Sequence, residues 1–493
     1  MRVLHVAAEA HPLVKTGGLA DVMAALPRAL EPHGVESTLL LPGFPGVLEG
    51  VSSWTEFCTL GPALGAARVK LLRGRMPGTH TPVIAIDAPW FYRRQGTPYH
   101  DAQGQDWPDN AQRFALLGWV AAQWAAGGLD PLGSTDLVHA HDWHAALSCT
   151  YLALQGSSRV VNLFTIHNLA YQGLFPFSDH TLLGLPSQLM SPAGLEFHGR
   201  LSFMKGGLQF ADRITTVSPT YAREISTVDM GHGLDGVIRG RQSHVHGILN
   251  GIDEQGWDPA RDPAIAHPFS DKAMEGKQAC KQALCEEAGL PFDPHRPVLA
   301  CVSRLSSQKG IDLLLASLPD WMDGHVQLVV QGTGDTSLEL ALQHAATRYP
   351  GRFRVFVGYD EDRAHRIIAG SDAILLPSRY EPCGLTQLYG MRYGTIPVVR
   401  RTGGLADTVV GADSDTLGSG QATGFSFDAP LAKALTQAIR QMLSIYRQPD
   451  LWRQVQHRGM KQDFSWRGPA RAYHGLYEQT LAQSAGRSQG RAP

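Results

Sequence analysis

Short, almost wholly apolar runs recur along the chain and are separated by stretches with helical spacing. The runs in the first half are Val3 to Ala7, Thr38 to Leu41, Val83 to Ile86, Leu137 to Ala140, Val161 to Thr165 and Ile214 to Val217. Those in the second half are Val298 to Val302, Val326 to Val330, Arg354 to Val357 and Ala373 to Leu376. Runs this apolar, joined by connections of roughly a dozen residues or more, predict parallel strands buried on both faces. Helical patterns lie between them, for example Ala20 to Leu30 and Ala273 to Ala288. The predicted class is α/β, built from open, doubly wound sheets.

The pattern breaks once on a large scale. GILNGIDEQGWDPARDPAIAHPF, from Gly247 to Phe269, is rich in Gly, Asp and Pro, which is loop and linker chemistry. A chain of 493 residues exceeds the size at which one core stops growing, so the break predicts two domains, 1–248 and 249–462. The tail 484–493, SAGRSQGRAP, is expected to be disordered.

Composition narrows the function classes. Lys plus Arg is 43 and Asp plus Glu is 45, so the electrostatic case for a general nucleic-acid binder is absent. The opening MRVLHVAAEA is too short and too polar for a signal-peptide core, and it reads as a first buried strand. The apolar stretch Phe114 to Leu129 is interrupted by Gln123 and three glycines, short of the roughly 20 residues a membrane span needs. Six cysteines without a CxxC pair read as reduced thiols. A cytoplasmic protein is expected.

One hexapeptide occurs twice. Thr-Gly-Gly-Leu-Ala-Asp stands at Thr16 to Asp21 and again at Thr402 to Asp407, after Lys15 and Arg401 respectively. It is either a helix-start solution used twice or the mark of two related domains facing one cleft. Lys15, Gly17 and Gly18 follow the first strand and open a helix, where paired glycines and unpaired N–H groups suit an anion. Arg304 and Lys309 lie just past the Val298 strand; a planar fork and a point charge five residues apart suit a diphosphate. In Arg379-Tyr380-Glu381-Pro382-Cys383-Gly384-Leu385-Thr386, the residues Gly384, Leu385 and Thr386 are expected in the first turn of a helix, offering amides to an anion. Glu381, being acidic, suits sugar hydroxyls rather than phosphate. Cys383 reads as a small packed residue.

His139-Ala140-His141-Asp142-Trp143-His144 invites a metal reading. His139 and His141 leave a strand on one face, but a third convergent ligand is not evident in the sequence, so no metal is expected. Asp142 and His144 at a strand end, with an aromatic between them, fit carbohydrate contacts better. His167-Asn168 closes another apolar strand beside Tyr171. Two D-x-D triplets, at Asp360 to Asp362 and Asp413 to Asp415, are what chance supplies and carry no argument. The residues alone point to a nucleotide-sugar transferase of two α/β domains.

These motifs identify a resemblance. LHVAAEAHPLVKTGGLADV, VHAHDWHA, FTIHNLAYQG, TTVSPTYAREI, ILNGID, SRLSSQKG, the stretch SRYEPCGLTQLYGMRYGTIPVVRRTGGLADTV and FSWRGPARAYHGLY resemble the bacterial glycogen synthase and plant starch synthase family over nearly the whole chain. The resemblance implies the GT-B fold: two Rossmann-like domains facing a deep cleft, with a last helix, 463–483, returning to the first domain. It implies transfer of glucose from ADP-glucose to the non-reducing 4-hydroxyl of an α-1,4-glucan such as glycogen, with retention, release of ADP and no metal.

By that resemblance Lys15, Gly17, Gly18, Arg304 and Lys309 bind the diphosphate, helped by the amides of the Cys383–Thr386 segment. Glu381 and His167 contact the glucosyl group, with Asn168 and Asp142 beside them. Tyr359 lies against adenine, and Tyr99, Asp21 and His144 line the cleft. The wider retaining group often carries Glu-x7-Glu, but here Tyr389 takes the second place. A turn usually richer in glycine reads Gln331-Gly332-Thr333-Gly334-Asp335. The remaining alternatives are a UDP-glucose-dependent transferase of the same fold and a catalytically inactive glucan-binding protein.

Overall fold

The computed structural model describes residues 1–127, 129, 135–156 and 160–489. The chain divides into two compact units, Met1–Asn250 with the segment from Trp466 onward, and Gly251–Ser465.

In the amino-terminal unit the strands are β1 (Arg2–Val6), β2 (Glu36–Pro42), β3 (Thr55–Leu60), β4 (Val69–Arg75), β5 (Pro82–Asp87), β6 (Leu137–His141), β7 (Val161–Ile166), β8 (Leu174–Pro176), β9 (Glu196–Phe197), β10 (Arg200–Ser202), β11 (Arg213–Thr216) and β12 (Val245–Gly247). Nine of them form one sheet in the order β12-β11-β7-β6-β1-β2-β5-β4-β3, while β8, β10 and β9 form a small separate one. The nine-stranded sheet is parallel from β12 to β5. Its edge is not: β4 runs antiparallel to both β5 and β3. The runs that predict strands miss this hairpin because β3 and β4 are half-exposed and carry Lys70, Arg73 and Glu56 among their apolar residues.

The carboxy-terminal unit holds β13 (Val298–Val302), β14 (Gln327–Gly332), β15 (Phe353–Val357), β16 (Ala373–Leu376), β17 (Ile396–Arg400) and β18 (Phe425–Phe427), in the order β15-β14-β13-β16-β17-β18. Every pair in it is parallel. Both sheets reverse their winding beside their first strand, at β1/β6 and at β13/β16. Such switch points open a crevice at the carboxyl ends of the strands, where α/β folds bind ligands.

The last helix, Arg467–Gln489, packs Ala470, Tyr473, Leu476 and Tyr477 into the core of the amino-terminal unit. It continues through 484–489, so the disorder expected from Ser484 does not hold there; 490–493 lie outside the described residues. No helix among the described residues is long and apolar enough to cross a membrane.

Candidate active site

In the amino-terminal unit three strand ends converge on the switch point. The first copy of the hexapeptide leaves β1, and Gly17 caps the helix Gly18–Leu30. Glu9, only 3% exposed, organises this loop: its carboxylate accepts from the Thr16 amide and hydroxyl, each at 2.5 Å, and from the Tyr99 hydroxyl. Lys15 pairs with Asp21 at 2.9 Å. Burial, followed by the charge of Glu9, holds the Tyr99 phenol well above its ordinary pKa.

Asp142 stands at the end of β6 with φ +61°, a left-handed conformation rare outside glycine. That backbone aims its carboxylate so that Oδ1 accepts from the amides of His167 (3.1 Å) and Asn168 (3.3 Å). The strained residue thereby ties the end of β6 to the end of β7, a use of strain common at functional sites. Burial raises the Asp142 carboxyl to about 7. Asn168 Oδ1 accepts from the Ala170 amide at 3.1 Å. His144 does not line an open surface as expected: it is 6% exposed, stacked on Tyr99 with ring centres 4.7 Å apart. Its place is beneath Tyr99.

Strand periodicity puts His139 and His141 on one face, and the parallel register brings His5 of β1 opposite His139. The third imidazole that the sequence does not reveal is therefore His5, and the three rings could in geometry surround a cation. Each of their nitrogens has a hydrogen-bond partner. His139 meets the Tyr477 hydroxyl (2.8 Å) and Thr165 Oγ1 (2.6 Å); His5 meets Ser37 Oγ (3.3 Å) and His141 (3.4 Å); His141 meets His167 (3.1 Å). The three rings thus stand in a buried hydrogen-bonded network.

In the carboxy-terminal unit the strand ends carry Arg304, Lys309 and Glu381. Arg304 is exposed beyond β13 and bonds Gln308 Oε1 at 3.2 Å. Gly332 and Gly334 support its loop from behind, where an added Cβ would strike the Ser303 and Leu305 carbonyls at 1.9 and 2.4 Å. Lys309 Nζ donates to Glu381 Oε2 at 2.5 Å, and the Ser378 hydroxyl donates to the same oxygen at 3.0 Å. The geometry thus sets Glu381 between Lys309 and Ser378.

The helix after Glu381 spans Thr386–Arg392, with Leu385 as its cap. Gly384 is consequently not a first-turn residue, as the sequence suggests, but a left-handed turn at φ +73°. Cys383 is 5% exposed, and its carbonyl accepts from Gln387 Nε2. Tyr359 is 70% exposed with its hydroxyl on Glu361. Tyr389, at the position of the missing second glutamate, stacks on Trp257 at 3.7 Å, and Trp257 stacks in turn on His365 at 3.6 Å.

Glu9, His5, Ser37 and Ser378 escaped the sequence reading. Only Glu9 leaves a signal there: a carboxylate closing an otherwise apolar strand has to be paired.

Residues 2–240 match the starch synthase catalytic domain, and residues 286–456 match the glycosyl transferases group 1. A glycogen synthase of Leptothrix cholodnii is 49% identical over 489 residues, covering 98% of this chain and 100% of its own. The chain belongs to the glycogen and starch synthase family of glycosyltransferases. A second glycogen synthase of this family, from Novosphingobium aromaticivorans, is 46% identical over 98% of the chain and 99% of its own length. Among solved structures, the catalytic domain of starch synthase IV from Arabidopsis thaliana, bound to ADP and acarbose, superimposes with a TM-score of 0.88. It is 31% identical over 98% of this chain and 99% of that one. Sucrose-phosphate synthase from Thermosynechococcus elongatus, 17% identical with a TM-score of 0.58 over 98% of this chain and 99% of its own, shares the fold. The GT-B architecture of this synthase family accounts for two doubly wound units and for the helix that returns to the first of them.

Proposed function

We propose that the chain extends an α-1,4-glucan, moving glucose from ADP-glucose to the non-reducing 4-hydroxyl with retained configuration and release of ADP. The observation that carries this reading is the Lys309–Glu381–Ser378 group with Arg304 at the β13/β16 switch point, cations for a leaving diphosphate beside a carboxylate for sugar hydroxyls. Family membership and the ADP held by the starch synthase neighbour support adenine as the base.

As the glucosyl bond breaks, negative charge builds on the diphosphate. Arg304 and Lys309 neutralise it, and each well-placed donor is typically worth ~10²–10³ in rate. This replaces the charge stabilisation a metal would provide, so the reaction proceeds without one. Lys309 is shared between Glu381 and the phosphate; Ser378 keeps Glu381 oriented to accept from a glucosyl hydroxyl. Retention follows a front-face course: the acceptor oxygen bonds the anomeric carbon on the face the phosphate leaves, and a phosphate oxygen takes the acceptor proton. Trapping a glucosyl-enzyme at Glu381 or Asp142 would overturn that course.

The amino-terminal unit contributes His167 to the glucosyl group, with Lys15, Gly17 and Gly18 toward the diphosphate. Asp142 and Tyr99 border the acceptor, and Asp21 lies on the ADP-glucose side. Tyr359 lies against adenine, and the amides of Leu385 and Thr386 add donors. The enzyme works in the cytoplasm.

The test is ADP release in the presence of glycogen and a chelator, with ADP-glucose compared with UDP-glucose. Fast, chelator-resistant turnover of ADP-glucose is expected. Preference for UDP-glucose would overturn the donor, loss of activity on chelation would overturn metal independence, and no turnover with either would favour a glucan-binding protein.

A further inference from the structure

The imidazoles behind His167 form a line. Ser37 Oγ meets His5 Nε2 at 3.3 Å, His5 Nδ1 meets His141 Nε2 at 3.4 Å, and His141 Nδ1 meets His167 Nε2 at 3.1 Å. Ser37, His5 and His141 are buried, the two histidines completely. His167, at the end of β7, is only partly buried. Its remaining nitrogen, Nδ1, has no hydrogen-bond partner among the described residues.

A neutral imidazole carries one N–H and one lone pair. In a line where Nδ1 of each ring faces Nε2 of the next, every link is made only if all the rings share one tautomer. With Nδ1–H throughout, Ser37 donates to His5 and the line ends in a donor at His167 Nδ1. With Nε2–H throughout, His5 donates to Ser37 and the line ends in an acceptor. A mixed line sets two protons or two lone pairs face to face in a buried site, where an unmade hydrogen bond is costly.

We propose that Ser37, His5 and His141 are positioning residues that hold the His167 ring and fix, as one unit, whether its Nδ1 donates to or accepts from a sugar hydroxyl. The role rests on the reading above that His167 meets the glucosyl group. The rings stay uncharged in this setting: burial lowers His5 to about 3 and His141 well below the ordinary histidine value. Burial lowers His167 to about 3 as well, so it serves as a neutral hydrogen-bonding group with the polarity that the whole line shares. His139 stands outside the line, its two nitrogens taken by Tyr477 and Thr165.

The decisive measurement is long-range ¹H–¹⁵N correlation on the full chain labelled at histidine, with each ring assigned by single substitution. His5, His141 and His167 are expected to share one tautomer. Differing tautomers, an imidazolium among the three at neutral pH, or stoichiometric zinc in the purified protein would each overturn the proposal. Ser37→Ala, the mildest change, should shift the tautomer balance of His167 three links away; an unmoved His167 would count against the line. In turnover, His141→Leu should lower kcat about tenfold, the worth of one misplaced hydrogen bond, and leave the KM for ADP-glucose within about twofold. His141→Asn, whose amide can stand at the Nδ1 position, should recover most of that loss at equal thermal stability; equal losses in both variants would mark His141 as merely structural. Adding ADP-glucose to the labelled protein separates the two readings. A shift at His167 supports the sugar contact, whereas a uniform tautomer with no shift would overturn the contact and with it the role proposed for the line.

Discussion

The two copies of Thr-Gly-Gly-Leu-Ala-Asp are identical in sequence and opposite in use. Both open a helix after a parallel strand, Gly18–Leu30 after β1 and Gly403–Thr408 after β17. The first copy lies open. A Cβ added at Gly17 would meet nothing within 4 Å, and the loop is held by charge, through Glu9 on Thr16 and Lys15 on Asp21. The second is buried and held by shape. A Cβ at Gly403 would sit 1.9 Å from the Glu381 carbonyl, and one at Gly404 2.1 Å from that of Cys383. The Gly404 amide also donates to the Glu381 and Pro382 carbonyls, both at 3.1 Å. So the second copy supports the loop that carries Glu381, while the first leaves its own backbone approachable. A helix-start motif repeats because its local geometry repeats; what the glycines are for depends on what packs against them.

Substitutions can break this contrast. The largest effect is expected at the lysine bonded to the supported loop: Lys309→Ala should reduce kcat ~10²–10³-fold by removing a leaving-group cation and freeing Glu381, with the fold intact by circular dichroism. Near-normal turnover would remove Lys309 from the leaving-group role. Next comes Gly404→Ala, whose methyl must displace backbone at Cys383. Shifting the Glu381 loop by about an ångström should cost on the order of 100-fold in kcat, and overpacking about 1–3 kcal/mol in a denaturant titration.

A smaller effect concerns stability on the open side. The fold raises the Asp142 carboxyl from 3.8 to about 7, so between those values the folded state holds a proton that the unfolded chain has released. The stability this group allows is greatest below the lower value and declines as pH rises to the upper one. Asp142→Asn keeps the Oδ1 acceptor and removes the titration, so the melting temperature of the variant should gain on the wild type as pH rises through that window. A constant difference would place the Asp142 pKa near its unfolded value. The smallest effect on stability is expected at Gly17→Ala, where the extended backbone and open surroundings tolerate a methyl: stability should stay within about 0.5 kcal/mol, while the methyl on a backbone proposed to approach the diphosphate should raise the KM for ADP-glucose several-fold. A large loss of stability there would mean that the first copy, too, is held by packing.

Each of the ten apolar runs became a parallel strand, because a strand buried on both faces must be apolar throughout; the parallel strands β12, β17 and β18 were not among them. Gly-rich and charged residues just past those runs located Lys15, Asp142, His167, Arg304, Lys309 and Glu381, since ligand groups in such folds sit at the carboxyl ends of strands. The amphipathic hairpin β3–β4 left a weaker trace, as half-exposed edge strands carry polar residues. Local composition could not tell the left-handed Gly384 from a first-turn residue, nor foresee that His144 is covered by Tyr99. Residue types and their spacing along the chain were thus enough to determine the fold class and the family, and to place the candidate residues at strand ends. Tertiary structure alone decided that His5 joins His141 and His167, that Lys309 grips Glu381, and that one of two identical hexapeptides is open and the other jammed. Each of these depends on register and packing between segments far apart in sequence, and no local pattern records which residues such pairing will bring together.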